Sequence, residues 1–138
     1  LALSGGGDSM ALLHMAADWA REHGRLLVAV TVDHGLNPHS SDWSRLCETA
    51  ARSVGAVWIG RLWEGERPTV GLTAAARAAR HALLAQTAHQ VGARVILTGH
   101  TLDDVAEADW MRAQGTTLGR LREWSPSPVW PDGRDLML

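Results

Sequence analysis

Cysteine is nearly absent: Cys47 stands alone among 138 residues. An intrachain disulfide and a cysteine-built zinc or iron–sulfur site are therefore excluded. A single thiol fits a reducing cytoplasm, which is the expected location. No apolar run approaches the ~20 residues that a bilayer-crossing helix needs, so no membrane association is expected. An excess of basic residues is also lacking, the formal net charge being -2. A domain that grips nucleic acid by charge alone is usually strongly basic, so contact with RNA would need local patches or another part of the protein. Tyrosine and phenylalanine are missing, against seven tryptophans. Trp58, Trp63, Trp110, Trp124 and Trp130 could stack on bases, although scattered Trp is more often core or partner surface. Two familiar phosphate-binding patterns are missing as well. There is no Gly-Lys-Ser/Thr of a Walker A loop and no G-x-G-x-x-G of a dinucleotide fold.

What remains is ordinary globular material, 46% hydrophobic and 20% charged, of a length suited to one domain with one core. The chain starts at Leu1 rather than Met, with residues 1–3 already strand-like, so it reads as a fragment. A tight loop over residues 4–7 follows, and a helix is expected over residues 8–23, with Met10, Leu13, Ala17 and Ala20 at helical spacing. The apolar run 26–32 (LLVAVTV) suits a strand covered on both faces. Ser40 or Ser41 could cap a helix reaching residue 54. A strand is expected over 56–62, an Ala-rich helix over 72–91, a strand over 94–98 and a helix over 102–112. Residues 134–138 begin a further strand. The alternation predicts an α/β fold, a mostly parallel sheet sandwiched by helices, in a single domain spanning 1–138.

The most informative stretch is Ser4-Gly5-Gly6-Gly7-Asp8-Ser9, between the first strand and the first helix. Ligands of open parallel sheets bind beyond the carboxyl ends of the strands. Glycines let the backbone approach a ligand, and the following helix N-terminus offers free N–H groups and partial positive charge. Together these make a phosphate cradle, to which Ser4 and Ser9 add hydroxyls. Asp8 suits phosphate only through a bridging magnesium. The bland alternative is a glycine-rich turn capped by Asp8 and Ser9.

A second constellation follows the fourth expected strand: Gly99-His100-Thr101-Leu102-Asp103-Asp104-Val105-Ala106-Glu107. His100, Asp104 and Glu107 fall at i, i+4 and i+7, on one helical face if the helix starts early enough. Asp103 and Glu107, at i and i+4, repel unless a cation relieves them. Acids in a first helical turn are also favoured by the macrodipole without any metal.

The glycine stretch in its strand–loop–helix context resembles the pyrophosphate loop of the PP-loop (N-type) ATP pyrophosphatases. The combination with Val32-Asp33-His34-Gly35-Leu36, with Arg77 and Arg80 on the Ala-rich helix, with Trp63-Glu64-Gly65 and with His100-x-x-Asp103-Asp104-x-x-Glu107 resembles the tRNA(Ile)-lysidine synthetase family. The resemblance runs from Ser4 to about Leu121. It implies a PP-loop fold and ATP bound by Ser4, Gly5, Gly6, Gly7, Asp8 and Ser9, with Val32 and His34 beside the adenine. It implies magnesium on Asp8, Asp104 and Glu107, with His100, Asp104, Glu107 and Arg80 as catalytic residues. The implied activity is ATP-dependent attachment of free L-lysine to the wobble cytidine of tRNA(Ile) with a CAU anticodon, through an adenylated cytidine. Nothing in the sequence specifies an oligomeric state.

Several positions depart from that family's pattern. Asn37 stands where Arg is typical, His81 replaces Tyr, and Val105 and Ala108 replace Gln and Thr. Residues 113–117 form a loop one residue shorter, without its Arg-Gly-Ser-Gly. These changes leave the ATP cradle and the acidic cluster intact and bear on contacts to lysine and tRNA. The family's additional C-terminal tRNA-holding region is absent from this chain, so weak tRNA affinity is expected of it in isolation. The alternatives are another PP-loop adenylating enzyme, or a non-catalytic nucleotide-binding regulatory module of related fold.

Overall fold

The computed structural model describes residues 1–35, 40–65 and 68–99. His100, the helix expected over 102–112 and the strand expected over 134–138 lie outside the described residues. Among the described residues five elements follow one another: α1 (Gly7–Glu22), β1 (Val28–Asp33), α2 (Ser40–Ser53), β2 (Val57–Leu62) and α3 (Leu72–Gln90). Their bounds differ from expectation by one or two residues. α2 begins at Ser40 itself, so Ser40 and Ser41 lie in its first turn rather than at its cap.

β1 and β2 pair in parallel from Val28↔Val57 to Asp33↔Leu62. Along the other edge of β1, residues 1–3 run parallel to it. The Leu3 N–H donates to the Val30 carbonyl and the Val30 N–H to the Leu1 carbonyl, each at 2.8 Å. Beyond them the Ala2 N–H donates to the Leu97 carbonyl at 2.8 Å. The stretch expected as a fourth strand thus lies beside the first. The lateral order is third, second, first, fourth in chain order. The order reverses between residues 1–3 and the stretch around Leu97, the switch point where parallel sheets open a crevice.

Period-two alternation divides the side chains between two cores. Leu1, Leu3 and Ala29 pack with Leu13 and Ala16 of α1 and Cys47 and Ala51 of α2. Val30 and Ile96, with the partly buried Ala2, Val28 and Val32, pack against Leu84, Ala85 and Ala88 of α3. Two helices therefore cover one face and α3 covers the other, which is why β1 reads as an unbroken apolar run. Arg61 ties α3 to β2: its Nε donates to Thr87 Oγ1 at 2.8 Å and its guanidinium also reaches Gln90 Oε1. Thr87 Oγ1 in turn donates to the Leu83 carbonyl. Trp58 and Trp63 are used internally: Trp58 Nε1 donates to Thr31 Oγ1 at 3.1 Å, and Trp63 is 7% exposed.

Leu13 of α1 is fully buried in the core shared with Leu1, Leu3 and Cys47. Leu13→Ala is expected to lower the unfolding free energy by about 2–5 kcal/mol, since little can move in to fill the void. A urea titration of the two chains measures it.

Candidate functional site

The strand ends converge on one cavity of about 560 Å³. Its floor is Val30, Thr31 and Val32 with Asp33 and His34 at the end of β1, and Ala2, Leu3 and Ser4 beside them. α2 contributes Ser40, Trp43 and Ser44, α3 contributes Arg80, His81 and Leu84, and Thr98 and Gly99 close the side at the switch point.

The glycine loop turns at Gly5, whose φ of +83° favours glycine. A Cβ there would also stand 2.7 Å from Trp43 Cε2 and 3.1 Å from Cys47 Sγ. Gly6 has extended geometry and begins α1 without any side-chain cap. Instead the hydroxyls knit the loop: Ser4 Oγ donates to Ser9 Oγ at 3.0 Å, and Ser9 Oγ donates to the Gly6 carbonyl at 2.9 Å. Ser9 is buried and Ser4 exposed. A Cβ built at Gly7 meets nothing within 4 Å. Open space beside an uncapped helix N-terminus fits a polyphosphate, since first-turn N–H groups lack intrahelical partners.

Gly99 is the contact that sequence reasoning missed. A Cβ on it would come within 3.0 Å of the backbone N and Cα of Ser9 and within 3.2 Å of the Asp8 carbonyl carbon. The stretch leading to His100 thereby packs directly on the first turn of α1. A glycine preceding an acidic motif was visible in the sequence; its partner 90 residues away was not.

Arg80 puts a cation in the opposite wall, with Arg77 one turn away on α3. Arg77 and Arg80 are both half-buried, and among the described residues neither forms an ion pair. Burial, then the charge of Arg77, pulls the Arg80 guanidinium below its ordinary value; an arginine stays charged nonetheless. His34 meets Trp63 edge-on, ring centroids 6.1 Å apart, and its Nδ1 is buried without a hydrogen-bond partner among the described residues. Burial chiefly, with help from Arg80 and against the opposing carboxylate of Asp33, holds the imidazole below its usual value. A neutral ring with an unmet nitrogen suits a polar, uncharged ligand group.

Of the residues singled out from sequence, Ser4, Ser9, Val32, His34 and Arg80 line this one cavity. Gly5, Gly6, Gly7 and Asp8 form the loop and first turn above it, with Asp8 exposed. His100, Asp104 and Glu107 lie outside the described residues. Among the described residues, no three His, Cys, Asp or Glu side chains are gathered closely enough to hold a metal ion, so Asp8 is the one described carboxylate of the expected magnesium set. Also among the described residues, no helix is long and apolar enough to cross a membrane.

A family model described as a PP-loop domain matches residues 1–125. The chain belongs to this PP-loop family, whose members use ATP. It is 50% identical over 135 residues to the tRNA(Ile)-lysidine synthase of Caulobacter vibrioides, a match covering 98% of this chain and 33% of the relative. It is 45% identical over 129 residues to that of a Bradyrhizobium species, covering 91% of this chain and 36% of the relative. With the Hyphomonas neptunium protein of the same name the identity is 42% over 142 residues, covering all of this chain and 38% of the relative. The chain thus spans about a third of the length of these curated relatives. Among solved structures, a U34-tRNA thiolase from Methanococcus maripaludis superimposes with a TM-score of 0.68 at 24% identity, over 84% of this chain and 43% of the thiolase. That likeness bears out the parallel sheet flanked by helices.

Two outcomes are expected. Gly5→Ala forces a side chain into a left-handed backbone against Trp43 and Cys47, and should cost about 1–3 kcal/mol in a denaturant titration. For His34, the folded chain binds fewer protons than the unfolded chain below the ordinary value of 6.5. Stability therefore falls as pH drops from 6.5 toward the lowered folded value and levels off below it. His34→Gln should flatten that part of the pH dependence of the unfolding midpoint.

Proposed function

We infer that this chain is the catalytic nucleotide-binding domain of an ATP-dependent carbon–nitrogen ligase, acting on the wobble cytidine of tRNA(Ile) with a CAU anticodon. The observation that carries the reading is the cavity at the switch point. It combines an uncapped helix N-terminus, a glycine loop with open space above it and Arg80 in the opposite wall. The PP-loop membership and the relatives named tRNA(Ile)-lysidine synthase support it.

In this reading the phosphates of ATP lie against Ser4, Gly5, Gly6, Gly7, Asp8 and Ser9, and the adenosine lies toward Val32 and His34. Asp8, with Asp104 and Glu107, would hold magnesium, which supplies charge neutralisation on the phosphates. The exposed carboxylate of Asp8 in the first turn of α1 fits that role. The cytosine C2 oxygen attacks the α-phosphorus, and the bond to the β,γ-pyrophosphate breaks. The amine of free L-lysine then adds at C2 and AMP leaves, giving lysidine after loss of a proton from the amine. The protein supplies positioning and charge, not a nucleophile. Arg80, in the cavity wall, would stabilise developing phosphate charge, and His100 would contact phosphate or move a proton. Binding of tRNA draws on further parts of the protein, because the chain's charge is -2.

The test incubates this chain with ATP, magnesium, labelled lysine and unmodified tRNA(Ile). In parallel, the Caulobacter vibrioides relative is assayed with its matching third replaced by this chain. Lysine incorporation by the chimera that is lost in Asp104→Ala is the expected result. AMP release without incorporation would redirect the substrate to another acceptor, and nucleotide binding with neither product would indicate a regulatory module.

A further inference from the structure

We propose that Trp43 is a positioning residue for the glycine loop, holding the Gly5 amide ready for a pyrophosphate group. The proposal rests on the nucleotide reading above for the ligand, and on the following geometry for the residue.

Trp43 lies 39 positions along the chain from Ser4, in the first turns of α2, yet its Nε1 donates to the Ser4 carbonyl at 2.6 Å. The indole also fills the space into which a side chain at residue 5 would project. The ring is 50% exposed, so it is not core; its directed contact is with the loop. A trans peptide points its C=O and the following N–H in opposite directions within one plane, and no cis bond occurs among the described residues. Holding the Ser4 carbonyl toward α2 therefore turns the Gly5 N–H away from α2. Among the described residues that N–H finds no acceptor. An amide that is oriented by a through-space contact and left without a partner, next to an uncapped helix N-terminus, is a donor prepared for an anion. Trp43 acts through the loop rather than by touching the reacting atoms. Because Ser40, Trp43 and Ser44 of α2 also line the cavity, the same helix fixes the loop and bounds the ligand space.

Trp43→Phe keeps an aromatic face against Gly5 and removes only the N–H donor. The two chains are compared by calorimetry with inorganic pyrophosphate and, separately, with adenosine. Loss of one hydrogen bond's ordering is expected to weaken pyrophosphate binding about fivefold and leave adenosine within about twofold. Backbone ¹⁵N relaxation gives a second readout: the order parameters of Gly5 and Gly6 should fall in Trp43→Phe while those of α1 beyond its first turn hold. Equal weakening of both ligands, or unchanged pyrophosphate affinity with unchanged order parameters, overturns the proposal. Should pyrophosphate bind neither chain, the nucleotide reading fails and the relaxation data alone decide what Trp43 does.

Discussion

The double burial of β1 is the constraint on which the remainder of the structure depends. Ala29, Val30 and Thr31 are all buried, so apolar cover is required above and below the sheet. α1 and α2 meet that need on one face and α3 on the other. Helices crossing over between strands leave β1, β2 and residues 1–3 pointing the same way. The carboxyl ends then share one edge, and the residues that follow them are gathered whether or not they are near in sequence. Site formation is in this sense a by-product of core formation: a cavity appears where neighbouring connections diverge, between residues 1–3 and the stretch near Leu97.

Among the described residues, that edge presents positive ends on two sides. The amide end of α1 faces the site from one side and Arg80 from another, while of the described carboxylates Asp33 accepts from the Gly35 N–H at 2.7 Å and Asp8 is exposed. A site so arranged favours ligands that bring their own negative charge. It also explains why a chain with slightly negative net charge is compatible with a polyanionic ligand: the local field, not the total, governs the encounter.

Features written in short-range pattern were legible in the sequence. The strand–helix alternation, the glycine loop and the helix bounds follow from periodicity and punctuation within a few residues. The grouping of Ser4, Ser9, Val32 and His34 was legible because each lies at or near the end of an expected element, whereas Arg80, in the middle of the Ala-rich helix, was marked only by the family resemblance. Contacts that join distant positions were not. Gly99 against Ser9, Trp43 against Ser4, and Trp58 against Thr31 depend on how two faces meet, and no local signal encodes the partner. The tryptophans show the difference plainly. Trp58 and Trp63, possible stacking platforms by composition, spend their rings on internal contacts, while Trp43, which no motif marked, stands at the site.

Cys47 lies fully buried beneath the glycine loop, its Sγ close to where a Gly5 side chain would be. Burial pushes its thiol up, opposed by a hydrogen bond with Thr31. A protonated, covered thiol reacts slowly with alkylating reagents, and it becomes reactive only when the layer above it lifts. As the chain's sole sulfhydryl, it is thus a built-in chemical clock: its rate of modification counts the opening events of the loop, and a ligand that clamps the loop would stop it.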